Sequence, residues 1–117
     1  MTSETASKIA PNPLPEAARN RIEQLRILFI VRCRDNAEMI RARLEENVHR
    51  DDPQSFRAEV IPVLHSLVGT GGIFGYRELS EATAATKRLL RQSEGFSEEW
   101  IPALNTVLAH LDALSED

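Results

Sequence analysis

Apolar residues recur every three or four positions along most of this chain, a spacing that predicts amphipathic α-helices rather than strands. Leu, Ala, Glu and Arg, all good helix formers, make up more than two-fifths of the residues. Between about residues 15 and 48 the apolar positions form one stripe, which consists of Ile22, Leu25, Phe29, Cys33, Ala37, Ile40, Leu44 and Val48. Charged residues fill the opposite side and indicate a solvated face. We therefore expect an all-α protein whose first helix starts at Pro15.

Turn and cap signals divide the rest of the chain into three more helices. Asp52 and Pro53 suit the N-cap and first position of a second helix, which runs towards the glycine-rich segment 69–75 after a turn at 49–54. A third helix is expected over about 76–92, with Leu79, Ala82, Thr86 and Leu89 inward. Ser97 is a candidate N-cap for a fourth helix beginning near Trp100. The pattern predicts an antiparallel four-helix bundle over residues 14–117, preceded by a mobile polar tail over residues 1–13.

Length, charge and cysteine content exclude several classes of protein. A chain of 117 residues fits one domain, and a net charge of −4 argues against binding to nucleic acid. The single cysteine, Cys33, excludes an internal disulfide, and its place on the apolar stripe favours a core position. The longest purely apolar run, 27–31, is too short to cross a membrane, and residues 1–13 lack the apolar segment of a signal peptide. These features predict a cytoplasmic protein with no membrane contact.

His65 lies on the side of the second helix that faces away from the expected core. At about 100° per residue, Phe56, Val63, Leu67 and Phe74 fall near the pole opposite His65. A histidine in this position is presented to solvent or to a partner rather than buried.

The surroundings of His65 are small and apolar, although an outward helical face is normally charged. The residues within about 60° of it are Ala58, Ile61, Pro62, Val68, Gly69 and Gly72. Glycines in a helix cost about 1 kcal/mol each relative to alanine, so close access for a partner is one interpretation. The other is that Gly69 to Gly72 end the helix in a flexible loop. The helical geometry favours neither interpretation.

The segment from His65 to Leu79 resembles the signature of histidine phosphotransfer (HPt) domains. That pattern places a leucine two residues after the histidine, a glycine four after, a glycine ten after and a leucine near fourteen; Leu67, Gly69, Gly75 and Leu79 match it. The resemblance extends to the predicted architecture over residues 15–115, since HPt domains are four-helix bundles with the histidine midway along one helix.

The resemblance implies a role for His65 in a multistep phosphorelay. His65 would accept a phosphoryl group from an aspartate of one receiver domain and return it to an aspartate of another, without ATP-dependent kinase activity. The partners implied are receiver domains of response regulators and a hybrid histidine kinase, and Mg²⁺ would come from the receiver, with no intrinsic cofactor. The apolar residues around His65 would form the docking surface. We expect a monomer, with exposed apolar surface near His65 able to support weak self-association.

This chain departs from the family pattern at two places. Many members carry a lysine three residues after the histidine, where this chain has Val68, and a leucine–glutamate pair common late in the third helix is replaced by Thr86 and Lys87. Arg57 and Lys87 are candidates for the missing positive charge. The absence of lysine at position 68 leaves an alternative open, a degenerate HPt-like module that binds receiver or kinase domains without carrying phosphate.

Two further interpretations have little support. The segment 69–75 lacks the Gly-Lys-Ser/Thr ending of a nucleotide-binding loop, and no strand precedes it. His49, His65 and His110 are too far apart to lie on adjacent helical turns, so we expect no metal site.

Overall fold

The computed structural model describes residues 14–115, and within them five α-helices follow one another with no strand. Their bounds are α1 Glu16–Glu45, α2 Val48–Asp51, α3 Pro53–Ile73, α4 Arg77–Gln92 and α5 Trp100–Asp112. The all-α prediction is confirmed. The predicted tail at residues 1–13 lies outside the described part of the chain.

The four long helices form an antiparallel bundle with a square cross-section. Helix α1 packs against α3 and α5, and α4 packs against the same two helices, so that α1 and α4 are diagonal to each other. An ion pair joins Arg43 Nε to Glu59 Oε2 at 2.7 Å at one end of the α1–α3 pair, and the rings of Phe29 and Phe74 lie 5.5 Å apart at the other. These contacts show that α1 and α3 run in opposite directions.

The short helix α2 occupies the connection where the sequence predicts only a turn. Asn47 adopts a left-handed conformation (φ 60°), which ends α1 and redirects the chain. Asparagine tolerates this conformation better than most residues. The amide groups of Arg50 and Asp51 then donate to the Asn47 carbonyl, closing one helical turn before α3.

Helix α1 extends beyond the rest of the bundle at its N-terminal end. Because Phe29 already contacts Phe74, which follows the last residue of α3, the residues before about 25 have no neighbouring helix beside them. Ile22 and Leu25 are 46% and 41% exposed, so the expected stripe is buried only from Phe29 onwards. The expectation that Ile22 and Leu25 face the core is therefore wrong.

The core combines aliphatic residues from all four long helices with an aromatic cluster near α2. Trp100 and Phe56 are fully buried and stacked, with ring centroids 5.9 Å apart. Cys33 is also fully buried, as the stripe predicts, and burial raises the pKa of its thiol to about 12. On α4, Thr83 and Leu90 are buried while Ala82 and Leu89 are only partly so. Thr83 tolerates burial because its hydroxyl donates to the Leu79 carbonyl at 2.6 Å.

None of the helices between residues 14 and 115 is both long enough and apolar enough to span a bilayer.

Candidate functional site

His65 lies in the second half of α3, on the surface of the bundle. The helix begins at an N-cap in which the Asp52 carboxylate accepts a hydrogen bond from the Ser55 amide at 3.1 Å, with Pro53 in the first helical position. Its buried face is formed by Phe56, Val60, Leu64, Leu67 and Gly71. His65 is exposed on the opposite side. The structure thus places this imidazole in solvent.

The six residues expected around His65 are all accessible at the surface. Ala58, Pro62, Gly69 and Gly72 are exposed, and Ile61 and Val68 are half-buried. The helix continues through Pro62, whose side chain is exposed. A small, mostly apolar surface therefore extends along α3 on both sides of His65.

The glycine-rich segment belongs to the helix rather than to a loop. Helix α3 runs to Ile73, so Gly69 and Gly72 lie within its last turns. A methyl group added at Gly69 would meet no atom within 4 Å, and one added at Gly72 would meet only the Ser80 hydroxyl at 3.9 Å. The protein's own packing does not require glycine at either position, and the interpretation that these glycines end the helix is wrong.

Gly75 has a different role, which is to end α3. It adopts φ +83°, and its amide donates to the Gly72 carbonyl at 3.2 Å while the Tyr76 amide donates to the Gly71 carbonyl at 2.8 Å. This pair of hydrogen bonds is a Schellman motif, in which a left-handed residue follows the helix. The two leucines of the motif, Leu67 and Leu79, are buried on either side of this turn. They hold α3 and α4 together.

Lys87 of α4 brings a positive charge to His65. Its Nζ lies 3.2 Å from His65 Nδ1. An ammonium group has no acceptor, so in this contact Lys87 donates and Nδ1 accepts. The imidazole Nε2 has no hydrogen-bond partner among residues 14–115. The cation thus comes from the neighbouring helix rather than from position 68.

Arg57, the other candidate cation, is directed away from this site. Its Nη2 donates to the Gly95 carbonyl at 2.9 Å, and its guanidinium carbon lies 5.3 Å from the centre of the Trp100 ring. These contacts hold Arg57 against the loop between α4 and α5.

Ser80 is a supporting residue that the sequence analysis did not single out. Its hydroxyl donates to the Val68 carbonyl at 2.8 Å and so fixes α4 against α3 one helical turn from His65. Ser80 belongs to no motif, and only the pairing of the two helices reveals this role.

The arrangement offers an exposed imidazole, one adjacent ammonium group and little steric obstruction. Neutral imidazole is a good nucleophile near neutral pH, and the ammonium group favours negative charge beside the ring. Residues 14–115 contain no group of three or more His, Cys, Asp or Glu side chains arranged to hold a metal ion. The site is therefore suited to taking up an anionic group on a ring nitrogen.

The fold and the site together define the class of protein: a helical bundle that presents an exposed histidine on a small, mostly apolar surface containing glycines. The model of the Hpt domain family matches residues 16–117, and the chain belongs to this family. Membership implies phosphotransfer in a phosphorelay and interaction with receiver domains in general. No curated protein and no solved structure gives a significant match.

Proposed function

We propose that His65 is the phosphorylated residue and relays a phosphoryl group between aspartates of two receiver domains. The observation that carries this proposal is the contact between His65 Nδ1 and Lys87 Nζ at 3.2 Å on an otherwise uncharged, accessible surface. It answers the main objection from the sequence, the absence of lysine at position 68, because an equivalent charge comes from α4. In this proposal the partners of the protein are receiver domains of response regulators and a hybrid histidine kinase.

Transfer proceeds by displacement at phosphorus. A ring nitrogen of His65 attacks the aspartyl phosphate, the P–N bond forms as the P–O bond to the aspartate breaks, and the carboxylate leaves with the electron pair. The return step reverses these changes with a second receiver aspartate as the nucleophile. We assign the attack to Nε2, the ring nitrogen that has no hydrogen-bond partner among residues 14–115.

The hydrogen bond to Lys87 has a consequence for this step. With Nδ1 accepting, the proton of the neutral ring lies on Nε2. Before Nε2 attacks, the ring has to change tautomer: Nε2 gives its proton to solvent, Nδ1 takes one up, and Lys87 releases the ring as Nδ1 becomes the donor. Lysine has a flexible side chain with a compact charge, so the ammonium group that leaves Nδ1 is free to neutralise the phosphoryl oxygens.

The docking surface comprises the residues that surround His65, namely Ala58, Ile61, Pro62, Val68, Gly69 and Gly72. Their small size brings an approaching receiver close to the imidazole, and apolar contact area contributes to its binding. The divalent cation that neutralises the transferring group, Mg²⁺, belongs to the receiver.

The experiment compares the wild-type protein with His65→Gln and His110→Gln after incubation with phosphoramidate, a small phosphoryl donor. We expect an acid-labile adduct with the mass of one phosphoryl group on the wild type and on His110→Gln, and none on His65→Gln. The adduct should then disappear when a receiver domain with Mg²⁺ is added.

Either of two results would contradict the proposal. An adduct on His65→Gln would place the phosphoryl group elsewhere, and no adduct on a folded wild-type protein would favour a module that binds receivers without carrying phosphate. Circular dichroism of each variant distinguishes lost chemistry from a lost fold.

A further inference from the structure

The outer face of α1 exposes three large apolar side chains among its charged residues. Leu25, Leu28 and Val31 are 41%, 45% and 40% exposed. At about 100° per residue, Leu25 and Val31 each lie about 60° from Leu28, on its two sides. Leu28 and Val31 point away from the buried side of α1, which carries Ile30, Cys33 and Ala37. These three residues form a narrow patch, which we call the α1 face.

The α1 face ends in opposite charges. Arg21 lies seven residues before Leu28 and Asp35 seven residues after it, so both fall within about 20° of the line through Leu28. Both side chains are exposed, and neither forms an ion pair with any residue between 14 and 115. Arg21 and Asp35 thus place opposite charges at the two ends of the face. Arg32, also exposed, lies about 40° from Leu28, between Leu28 and Asp35, and in an antiparallel pair it falls opposite the uncharged Gln24 of the second copy.

We infer that two copies of this chain associate through the α1 face, with their α1 helices antiparallel and the two Leu28 side chains meeting at a two-fold axis. In this arrangement Leu25 packs against Val31 of the second copy, and Arg21 meets Asp35 of the second copy, each pair occurring twice. A two-fold interface uses the same patch on both subunits, so the patch has to complement itself, as this one does. A parallel arrangement would instead place Arg21 beside Arg21.

A groove beside the α1 face adds apolar surface that the second copy can contact. A groove of about 300 Å³ runs beside Leu25 and Leu28 and is bordered by Ile73, which is 80% exposed. Three leucine- or valine-sized contacts on each copy form a smaller interface than stable dimers have, so the dimer is weak and depends on concentration. This proposal differs from the monomer expected from the sequence, and it uses a surface of α1 rather than the surroundings of His65.

The first experiment is sedimentation velocity of the full chain over a wide range of protein concentration. We expect the weight-average mass to rise from 13.1 kDa towards twice that value. Leu28→Glu should remain at the monomer mass throughout. Ile22→Glu is the matched control, because Ile22 is similarly exposed on the same helix but about 120° from Leu28, and it should behave as the wild type. A wild type that stays monomeric, or Leu28→Glu that still dimerises, would overturn the inference.

A charge exchange tests the antiparallel arrangement itself. Arg21→Asp and Asp35→Arg each place like charges at both ends of the interface and should weaken the dimer by roughly threefold to tenfold. The double variant restores opposite charges and should recover wild-type association. Failure of the double variant to recover, with all variants folded, would exclude this arrangement. None of these measurements involves phosphorylation, so they succeed or fail independently of the proposed role of His65.

Discussion

At the scale of single residues, the contact between Lys87 and His65 joins an ammonium group on α4 to an imidazole on α3. Lys87 is half-buried, and its ammonium group reaches the imidazole across the interface of α3 and α4. A lysine at position 68 would approach from the same helix as His65. In this protein the charge instead depends on how α4 packs against α3.

Removing the charge of Lys87 should shorten the lifetime of phosphorylated His65. An exposed charge pair contributes about 0.5–1 kcal/mol, so we expect Lys87→Ala to reduce the adduct's half-life, or its rate of formation, roughly twofold to fivefold. The measurement is a time course of acid-labile phosphate after reaction with phosphoramidate. Arg88→Ala is the matched control, since it removes one positive charge from the exposed neighbouring position and should have no such effect.

Rescue by a second cation separates charge from structure. Lys87→Arg should retain most of the wild-type behaviour, whereas Lys87→Gln should resemble Lys87→Ala because it keeps a polar side chain without the charge. If Lys87→Gln matched the wild type, hydrogen bonding alone would explain the contact.

The sequence specifies the position of His65 better than its interactions. His65 and its neighbours lie on one helix, so their directions follow from the helical repeat alone. Which of Arg57 and Lys87 reaches His65 did not follow from the sequence. It depends on the angle between helices and on the competing contact of Arg57 with Trp100. Side-chain pairs between helices require the packed bundle.

At the scale of elements, the turn between α3 and α4 determines how the site is held. The left-handed conformation of Gly75 closes α3 with two hydrogen bonds, and only three residues separate Ile73, the last residue of α3, from Arg77, the first of α4. Ser80 then bonds to the carbonyl of Val68. Both ends of the Lys87–His65 contact are therefore positioned by one helical hairpin.

Alanine substitutions at two glycines should have opposite effects on stability. Gly75→Ala forces a left-handed conformation on a side chain and should lower the free energy of unfolding by about 1–2 kcal/mol. Gly69→Ala, in open space within a helix, should raise it by about 0.5–1 kcal/mol. Urea unfolding followed by circular dichroism measures both. A stabilised Gly75→Ala would show that the turn relaxes readily, and a destabilised Gly69→Ala would show a packing constraint at position 69.

The start of α3 was predictable because Asp52 and Pro53 mark it. The start of α5 was predicted less well, because its N-cap is Glu99 and not the candidate Ser97. The extent of burial along a helix was less predictable, because it depends on how far the neighbouring helices extend. Ile22 and Leu25 continue the apolar stripe, but Ile22 lies beyond the helices that would cover it and Leu25 lies at their edge, beside the end of α3. A repeat along one helix carries no information about the length of its neighbours. The one-turn helix α2 was missed because it depends on the left-handed conformation of Asn47.

At the scale of the whole molecule, the bundle has a buried histidine far from His65. His49 is 3% exposed, its ring lies against Phe56 and Phe96, and its Nδ1 has no hydrogen-bond partner among residues 14–115. Burial lowers the pKa of His49, with a smaller contribution from Arg50, while Asp51 and Glu98 act in the opposite direction. The fold therefore favours the neutral ring.

This burial predicts a loss of stability in mild acid. The unfolded chain takes up a proton near the ordinary histidine pKa of about 6.5, whereas the folded chain does so only at lower pH. The contribution of His49 is thus complete above about pH 6.5 and is lost as the pH falls towards its folded pKa. Urea unfolding at a series of pH values should show a steeper decline for the wild type than for His49→Phe. His110→Gln is the control and should follow the wild type; a His49→Phe profile parallel to the wild type would contradict the prediction.

The hairpin of α3 and α4 also bears on how this protein can diverge over evolution. His65 and Lys87 are separated by 22 positions, and no side chain of α1 contacts either of them through a hydrogen bond or an ion pair among residues 14–115. Substitutions on the outer surface of α1 therefore leave the polar contacts of the imidazole in place. A lineage can alter what this longest helix touches while the pair of His65 and Lys87 is inherited unchanged, because the two are encoded in separate stretches of the chain.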